Sequence, residues 1–368
     1  MAPYNILVVD DSVFMRKIIS DLISENPQYN IIGTAKNGQE AIEQVKLLKP
    51  DAVTMDIEMP IMNGLDALQR IMAEHPTPII MLSSLTEEGA AETIKALEWG
   101  AVDFIRKPSG SISLDLYKVK QLLHEKLHMA VRTKLRTFQP IQQAAPLPKL
   151  NQLPQIPNRA LKQPETKLVS TTGSTHFDHL VAIGTSTGGP RALHQVISNI
   201  PAGFPAPILI VQHMPPNFTK SLAQRLNDIS QIQVFEAADG DVLKPATAYV
   251  APGGWHMVVH KDVNRTYKIR LTKEEPRSGH RPSVDVMFES LLDLSELKRH
   301  IVLMTGMGSD GARGMFSLRQ SGVQTTIAES EETCVVYGMP RAAVEMQAAM
   351  HVLPQQEIAA RLAQCVLS

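Results

Sequence analysis

Cysteine is nearly absent: Cys334 and Cys365 are the only two in 368 residues. Two are too few for a disulfide framework or a cysteine-based zinc site, and they fit a reducing compartment. Neither sign of charge dominates. Lys and Arg number 36 against 37 Asp and Glu, for a net charge of −1. No nucleic-acid surface is expected from such a balance. No run approaches the ~20 apolar residues of a membrane span, so no membrane insertion is expected. The opening Met1-Ala2-Pro3-Tyr4-Asn5 lacks a basic region followed by a long apolar stretch, which argues against a secretory signal. The expectation is a soluble cytoplasmic protein. Hydrophobic residues make up 43%, enough to bury real cores, and the length suits two ordinary domains.

The composition divides the chain. Periodic apolar patterning stops near His128 and resumes at Phe177. Between them prolines recur, from Pro140 to Pro164, and basic residues outnumber the single acid, Glu165. A solvated, semi-extended linker is expected over 128–177, between domains over 1–127 and 178–368.

The first domain alternates short apolar strands with helical periodicity. Strands are expected over Ile6–Val9, Ile31–Ala35, Ala52–Met55, Ile79–Leu82 and Val102–Ile105. Helical crossovers between them imply a parallel sheet covered on both faces. In such a sheet functional groups gather at the carboxyl ends of the strands. Asp10 and Asp11 end the first strand, Asp56 the third and Ser83 the fourth, and Lys107 follows the fifth. Three converging carboxylates repel unless a cation sits among them, and all-oxygen ligands suit magnesium. An ionised aspartate there can take a phosphoryl group as an acyl phosphate. Ser83 and Lys107 would bind the new phosphate oxygens. The competing reading makes Asp10 and Asp11 caps of the first helix, and Asp56 the cap of a turn.

Val8-Val9-Asp10-Asp11-Ser12, Met55-Asp56-Ile57-Glu58-Met59-Pro60 with Gly64, Leu82-Ser83-Ser84 and Lys107-Pro108 resemble response-regulator receiver domains. That resemblance implies a flavodoxin-like (βα)5 fold and Asp56 as phospho-acceptor. It also implies Mg2+ on Asp10, Asp11, Asp56 and the Glu58 carbonyl, Phe104 as aromatic switch residue, and a histidine kinase as phosphate donor. A receiver transmits a state, so the output is expected beyond the linker.

The second domain alternates again, from the strand Leu180–Ile183 to Val323–Ala328, the last clear strand. Thr247–Thr272 reads as hairpins. Gly184-Thr185-Ser186-Thr187-Gly188-Gly189-Pro190 follows the first of these strands and precedes a helix. It matches G-x-S-x-G, with a serine on a sharp turn beside free helix amides. Glycine-rich turns also cradle phosphates. This stretch carries neither a following Gly-Lys-Ser/Thr nor G-x-G-x-x-G, which weakens a nucleotide site. His213 and Asp310 also follow strands of the same sheet. Serine, histidine and aspartate at one rim suit acyl transfer. Alternatively His213 is a hydrogen-bonded core histidine and Asp310 caps the turn at Gly311. Arg281-Pro282-Ser283 either shapes a cleft or caps a helix.

The Ser186 stretch, Gln212-His213-Met214-Pro215, Ala251-Pro252-Gly253, Arg281-Pro282-Ser283-Val284-Asp285 and Leu303-Met304-Thr305-Gly306-Met307-Gly308-Ser309-Asp310-Gly311 resemble the chemotaxis protein-glutamate methylesterase family. The resemblance implies a doubly wound, mostly parallel α/β hydrolase domain with an antiparallel hairpin. It implies Ser186 as nucleophile, His213 as base, Asp310 as orienter, and the amides of Thr187 and Met307 as oxyanion donors, without a cofactor. Its substrates would be glutamate methyl esters and glutamines of chemoreceptor cytoplasmic helices. Ser309 departs from the small or amide residue of the family pattern. Two rival readings are a receiver with a DNA-binding output and a non-hydrolytic scaffold. The second domain is too strand-rich and too neutral for the former, and an esterase assay separates the latter. A third keeps the enzyme but places its substrate outside chemotaxis. Without phosphate, the receiver would cover the Ser186 rim.

Overall fold

The computed structural model describes residues 2–84, 86–107, 113–133, 176–263 and 266–367. Pro108 and most of the proline-rich 128–177 segment lie outside the described residues.

The first domain runs β1 (Tyr4–Val9), α1 (Val13–Ser24), β2 (Tyr29–Ala35), α2 (Gly38–Leu48), β3 (Ala52–Asp56), α3 (Gly64–Glu74), β4 (Ile79–Ser83), α4 (Glu87–Glu98), β5 (Asp103–Arg106) and α5 (Ser113–Ala130). α5 therefore extends past residue 127. The strands pair in parallel in the order β2-β1-β3-β4-β5. β3 and β4 are buried at every position, as apolar strands covered on both faces must be. Ser12, Asn37, Asn63 and Thr86 cap α1 to α4, each side chain accepting from the third helical amide.

The second domain continues with β6 (His179–Thr185), α6 (Gly189–Ile197), β7 (Ile208–Gln212), α7 (Phe218–Ile229), β8 (Gln233–Glu236), β9 (Thr247–Val250), β10 (His256–Lys261) and β11 (Tyr267–Thr272). Then follow α8 (Val284–Ser290), β12 (Lys298–Leu303), α9 (Ala312–Gln320), β13 (Thr325–Glu329), α10 (Met339–Glu345), β14 (His351–Leu353) and α11 (Gln355–Leu367). Seven strands form one parallel sheet, in the order β14-β13-β12-β6-β7-β9-β8. The expected hairpins over 247–272 are corrected in part. Only β10 and β11 pair antiparallel, whereas β9 is a parallel strand between β7 and β8. Every residue of β9 is buried, so its mixed Thr-Ala-Tyr-Val composition imitates a half-exposed strand without being one. β14 follows the strand expected to be last. It and β8 are short, half-exposed edge strands with little apolar signal.

The strand order reverses at β6, with β12 on one side and β7 on the other. Loops leaving the carboxyl ends of these strands therefore enclose a crevice. The two domains pack together. α4 lies against α6 and α7, and one apolar core runs continuously across the contact. Phe104 of β5 stacks on Phe218 of α7, ring centres 4.6 Å apart. Glu98, at the end of α4, accepts from Arg225 Nε at 3.0 Å and pairs with His194 Nδ1 at 3.1 Å.

Candidate active site and the receiver acidic cluster

Parallel pairing of Thr185 with Gln212 and of Gly184 with Leu303 brings the ends of β7, β6 and β12 side by side. Ser186 leaves β6, and its amide donates to Thr305 O beyond β12 at 2.9 Å. The approach is so close that a Cβ on Gly306 would lie 2.7 Å from that of Ser186. Gln212 joins the other side. Its Nε2 donates to the carbonyls of Ser186 at 2.8 Å and His213 at 3.1 Å, while its oxygen accepts from Thr185.

His213 Nε2 lies 2.8 Å from Asp310 Oδ2. Its other ring nitrogen, Nδ1, is buried and has no hydrogen-bond partner. An ionised carboxylate accepts only, so Asp310 fixes the proton on Nε2 and leaves the Nδ1 lone pair open. Asp310 also accepts from Ser283 Oγ at 2.9 Å and from the amides of Val284 at 2.7 Å and Asp285 at 3.0 Å. Burial alone would raise its pKa. The His213 bond and the two amides outweigh burial and hold it at about 2. Ser283 is also the cap of α8, its hydroxyl accepting from Val286 N. The Arg281-Pro282-Ser283 stretch thus serves both of the roles left open, since Arg281 and Pro282 line the cleft.

That cleft has a volume of about 860 Å³ and lies between the domains. Ser186, Thr187, His213 and Met307 form part of its second-domain wall, while Asp103, Lys107 and Lys126 form part of its first-domain wall. Thr187 Oγ1 donates across the boundary to Asp103 Oδ2 at 2.7 Å, and Lys126 pairs with the same oxygen at 2.6 Å. Among the described residues, the Thr187 and Met307 amides have no acceptor. Ser186 Oγ and His213 share the cleft without a hydrogen bond between them.

Gly306 to Gly311 does spell G-x-G-x-x-G after a strand and before a helix, a dinucleotide-turn pattern. The buried Asp310 carboxylate stands inside that turn, where a pyrophosphate would need positive potential. Gly311 has φ +87, and any Cβ there would meet Val284 at 2.5 Å, so the pattern serves loop packing on α8.

In the first domain, carboxylate oxygens of Asp10, Asp11 and Asp56 lie within 4.8 Å of one another. Ser12 is the cap of α1, so Asp10 and Asp11 are free of that duty. Lys107 Nζ stands 2.7 Å from Asp56 Oδ2 and 3.0 Å from Asp10 Oδ2. Burial pushes Asp56 up to about 6 against the pull of Lys107. Ser83 is placed differently from Lys107. It ends β4, but its hydroxyl bonds the carbonyls of Ser84 and Gly89 and accepts from Thr93 at 2.7 Å.

Residues 181–362 match the family described as CheB methylesterase, and residues 6–116 match the response regulator receiver domain. A protein-glutamate methylesterase/protein-glutamine glutaminase of Halalkalibacterium halodurans is 50% identical over 341 residues, 92% of each chain. One from Geobacillus kaustophilus is 47% identical, over 100% of this chain and 99% of its own. The chain belongs to the CheB methylesterase family. A crystal structure of the Thermotoga maritima CheB methylesterase catalytic domain superposes with TM-score 0.50 at 44% identity, covering 51% of this chain and 98% of that one. This CheB-family chain is thus an enzyme of the methylesterase and glutaminase type, joined to a flavodoxin-like receiver. Among the described residues no helix is long and apolar enough to cross a membrane.

Within the CheB-family site, sequence reasoning missed His280. Its ring stacks on that of His213, centres 3.8 Å apart and planes 6° from parallel. A tight turn delivers it, Arg277 and His280 pairing across Ser278 and Gly279, both at positive φ. The Ser-Gly pair was the available signal, since such turns favour glycine at positive φ. Gln212, quoted only as part of a motif, left no signal of its clamping role.

Proposed function

We propose that Ser186 is the nucleophile, His213 the general base and Asp310 its orienter, in hydrolysis of glutamate methyl esters on chemoreceptor cytoplasmic helices. The observation that carries this reading is the His213 ring: one nitrogen on Asp310, the other buried and without a hydrogen-bond partner, in a residue that lines the same cleft as Ser186. Ser186 Oγ attacks the ester carbonyl and its proton passes to Nδ1. The Thr187 and Met307 amides receive the oxyanion. Collapse releases methanol with the proton from Nδ1. Water then attacks the acyl-serine by the same route and frees the glutamate. A glutamine offers the same carbonyl with ammonia as leaving group. The route uses no cofactor.

The receiver governs access. Asp56 is the phospho-acceptor and a histidine kinase its donor. Asp10, Asp11, Asp56 and the Glu58 carbonyl would hold Mg2+, and a crowded acidic cluster with Asp56 pushed up to about 6 fits a divalent cation. Held by these residues, such an ion would supply positive charge toward phosphoryl oxygens. Lys107 binds the phosphate, and Ser83 reaches it only by leaving Gly89 O. Without phosphate the receiver keeps its hold on Thr187 through Asp103, beside the oxyanion amide. Phosphorylation then shifts a two-state contact toward the open form.

Incubation of the full chain with a methyl-labelled receptor fragment tests this, with and without a small phosphodonor. Ser186→Ala is expected to abolish methanol release while Asp56 still takes phosphate. Turnover persisting in that variant removes Ser186 from the role.

A further inference from the structure

Glu329 ends β13 with no exposed surface. Burial, opposed only by an amide, a hydroxyl and a thiol, pushes its carboxyl up to about 7. No cation offsets that burial among the described residues. A carboxyl buried without a counter-charge is costly, so its bonds must compensate. There are two. Oε2 accepts the Thr305 amide at 2.8 Å and Oε1 accepts the Thr333 hydroxyl at 2.8 Å. Thr333 is itself held, its hydroxyl accepting from the Gln355 amide at 3.1 Å.

Thr305 faces the reacting groups from the other side. Its carbonyl accepts the Ser186 amide at 2.9 Å. Its hydroxyl donates to Thr187 O at 2.9 Å and accepts the Val336 amide at 3.1 Å. Thr305 therefore ties the 185–186 and 187–188 peptides, which bracket the 186–187 peptide carrying the Thr187 amide, and Thr305 is itself tied to Glu329. We propose that Glu329 and Thr305 form a positioning pair, setting the Ser186 turn and the Thr187 oxyanion amide in register. Neither touches substrate. A transition state is more sensitive to such a setting than ground-state binding is, because the oxyanion exists only after attack.

This inference rests on Ser186 as nucleophile, and its test separates the two. The purified full chain is assayed on a methyl-esterified receptor fragment, with kcat and KM measured separately. Thr305→Val and Glu329→Met are expected to lose at least about tenfold in kcat, with KM within about twofold. Thr305→Ser and Glu329→Gln keep the necessary bonds and are expected within about threefold of the parent. In the latter, the amide oxygen takes the Thr305 amide, and the new NH2 donates to Thr333. Far-UV circular dichroism and the denaturant-unfolding transition of the second domain report folding in each variant. If Glu329→Met fails to fold, Glu329→Asp, which draws the carboxyl back from the Thr305 amide, is expected to lose at least about tenfold in kcat, and parental kcat there overturns the Glu329 half of the pair. Parental kcat in Thr305→Val, or an equal loss in Thr305→Ser, overturns the pair. Activity surviving in Ser186→Ala instead overturns the serine reading itself.

Discussion

His280 gives His213 a wall and brings no charge with it. Burial, with His213 beside it, lowers its pKa to about 4, so it stacks as a neutral ring at neutral pH. The unfolded chain takes that proton near 6.5 and the folded chain near 4. Between those values the unfolded state binds more protons, so stability falls as pH drops through the window. His300, also lowered to about 4 by burial, adds to the same slope. Replacing His280 by Phe keeps a ring and removes the proton, so denaturant titrations should show a shallower loss between pH 6.5 and 4 than in the parent. His280→Ala should lower kcat about tenfold, ~1.4 kcal/mol in the barrier, as His213 gains freedom to turn. Asp310→Asn removes the tautomer lock and should cost about a thousandfold in kcat under saturating substrate.

At the scale of elements, α4 is the receiver's grip on the catalytic domain. Its Glu98 is buried with Arg225 and His194 of the other domain as partners, and those bonds outweigh burial to lower its pKa. Taking away one side of such a buried pair weakens the closed packing by a few kcal/mol. Glu98→Ala should therefore raise turnover without phosphodonor by about tenfold, measured as methanol release. Unchanged turnover would detach α4 from control. Phe104 belongs to the same contact. The resemblance marked it as a switch position, but nothing in its neighbours in sequence indicated the stack on Phe218.

For the molecule as a whole, each domain has a complete parallel sheet of its own, joined through the proline-rich segment. Cutting within 140–165 should free a catalytic fragment whose basal turnover exceeds that of the intact, unphosphorylated chain. The receiver would then bind only by diffusion rather than at the high effective concentration of a tether. Equal rates before and after cleavage would show that covering the cleft is not inhibitory.

Much of this was legible in residue order. Alternating apolar strands and helices dictate parallel sheets, and parallel sheets put their working residues at carboxyl ends. Asp10, Asp56, Lys107, Ser186 and His213 stand out from local pattern, because each directly follows or ends a strand, whereas Asp310 lies in the loop after β12. The rest depended on distance in space. In sequence Asp310 reads equally as cap or orienter, and in the fold it accepts the His213 ring nitrogen and two amides of α8. Gln212, His280 and Glu329 look ordinary in sequence, since their partners lie 26, 67 and 24 positions away. Side-chain hydrogen bonds and ring contacts depend on packing, and packing is decided only when the sheet order places β12 beside β6.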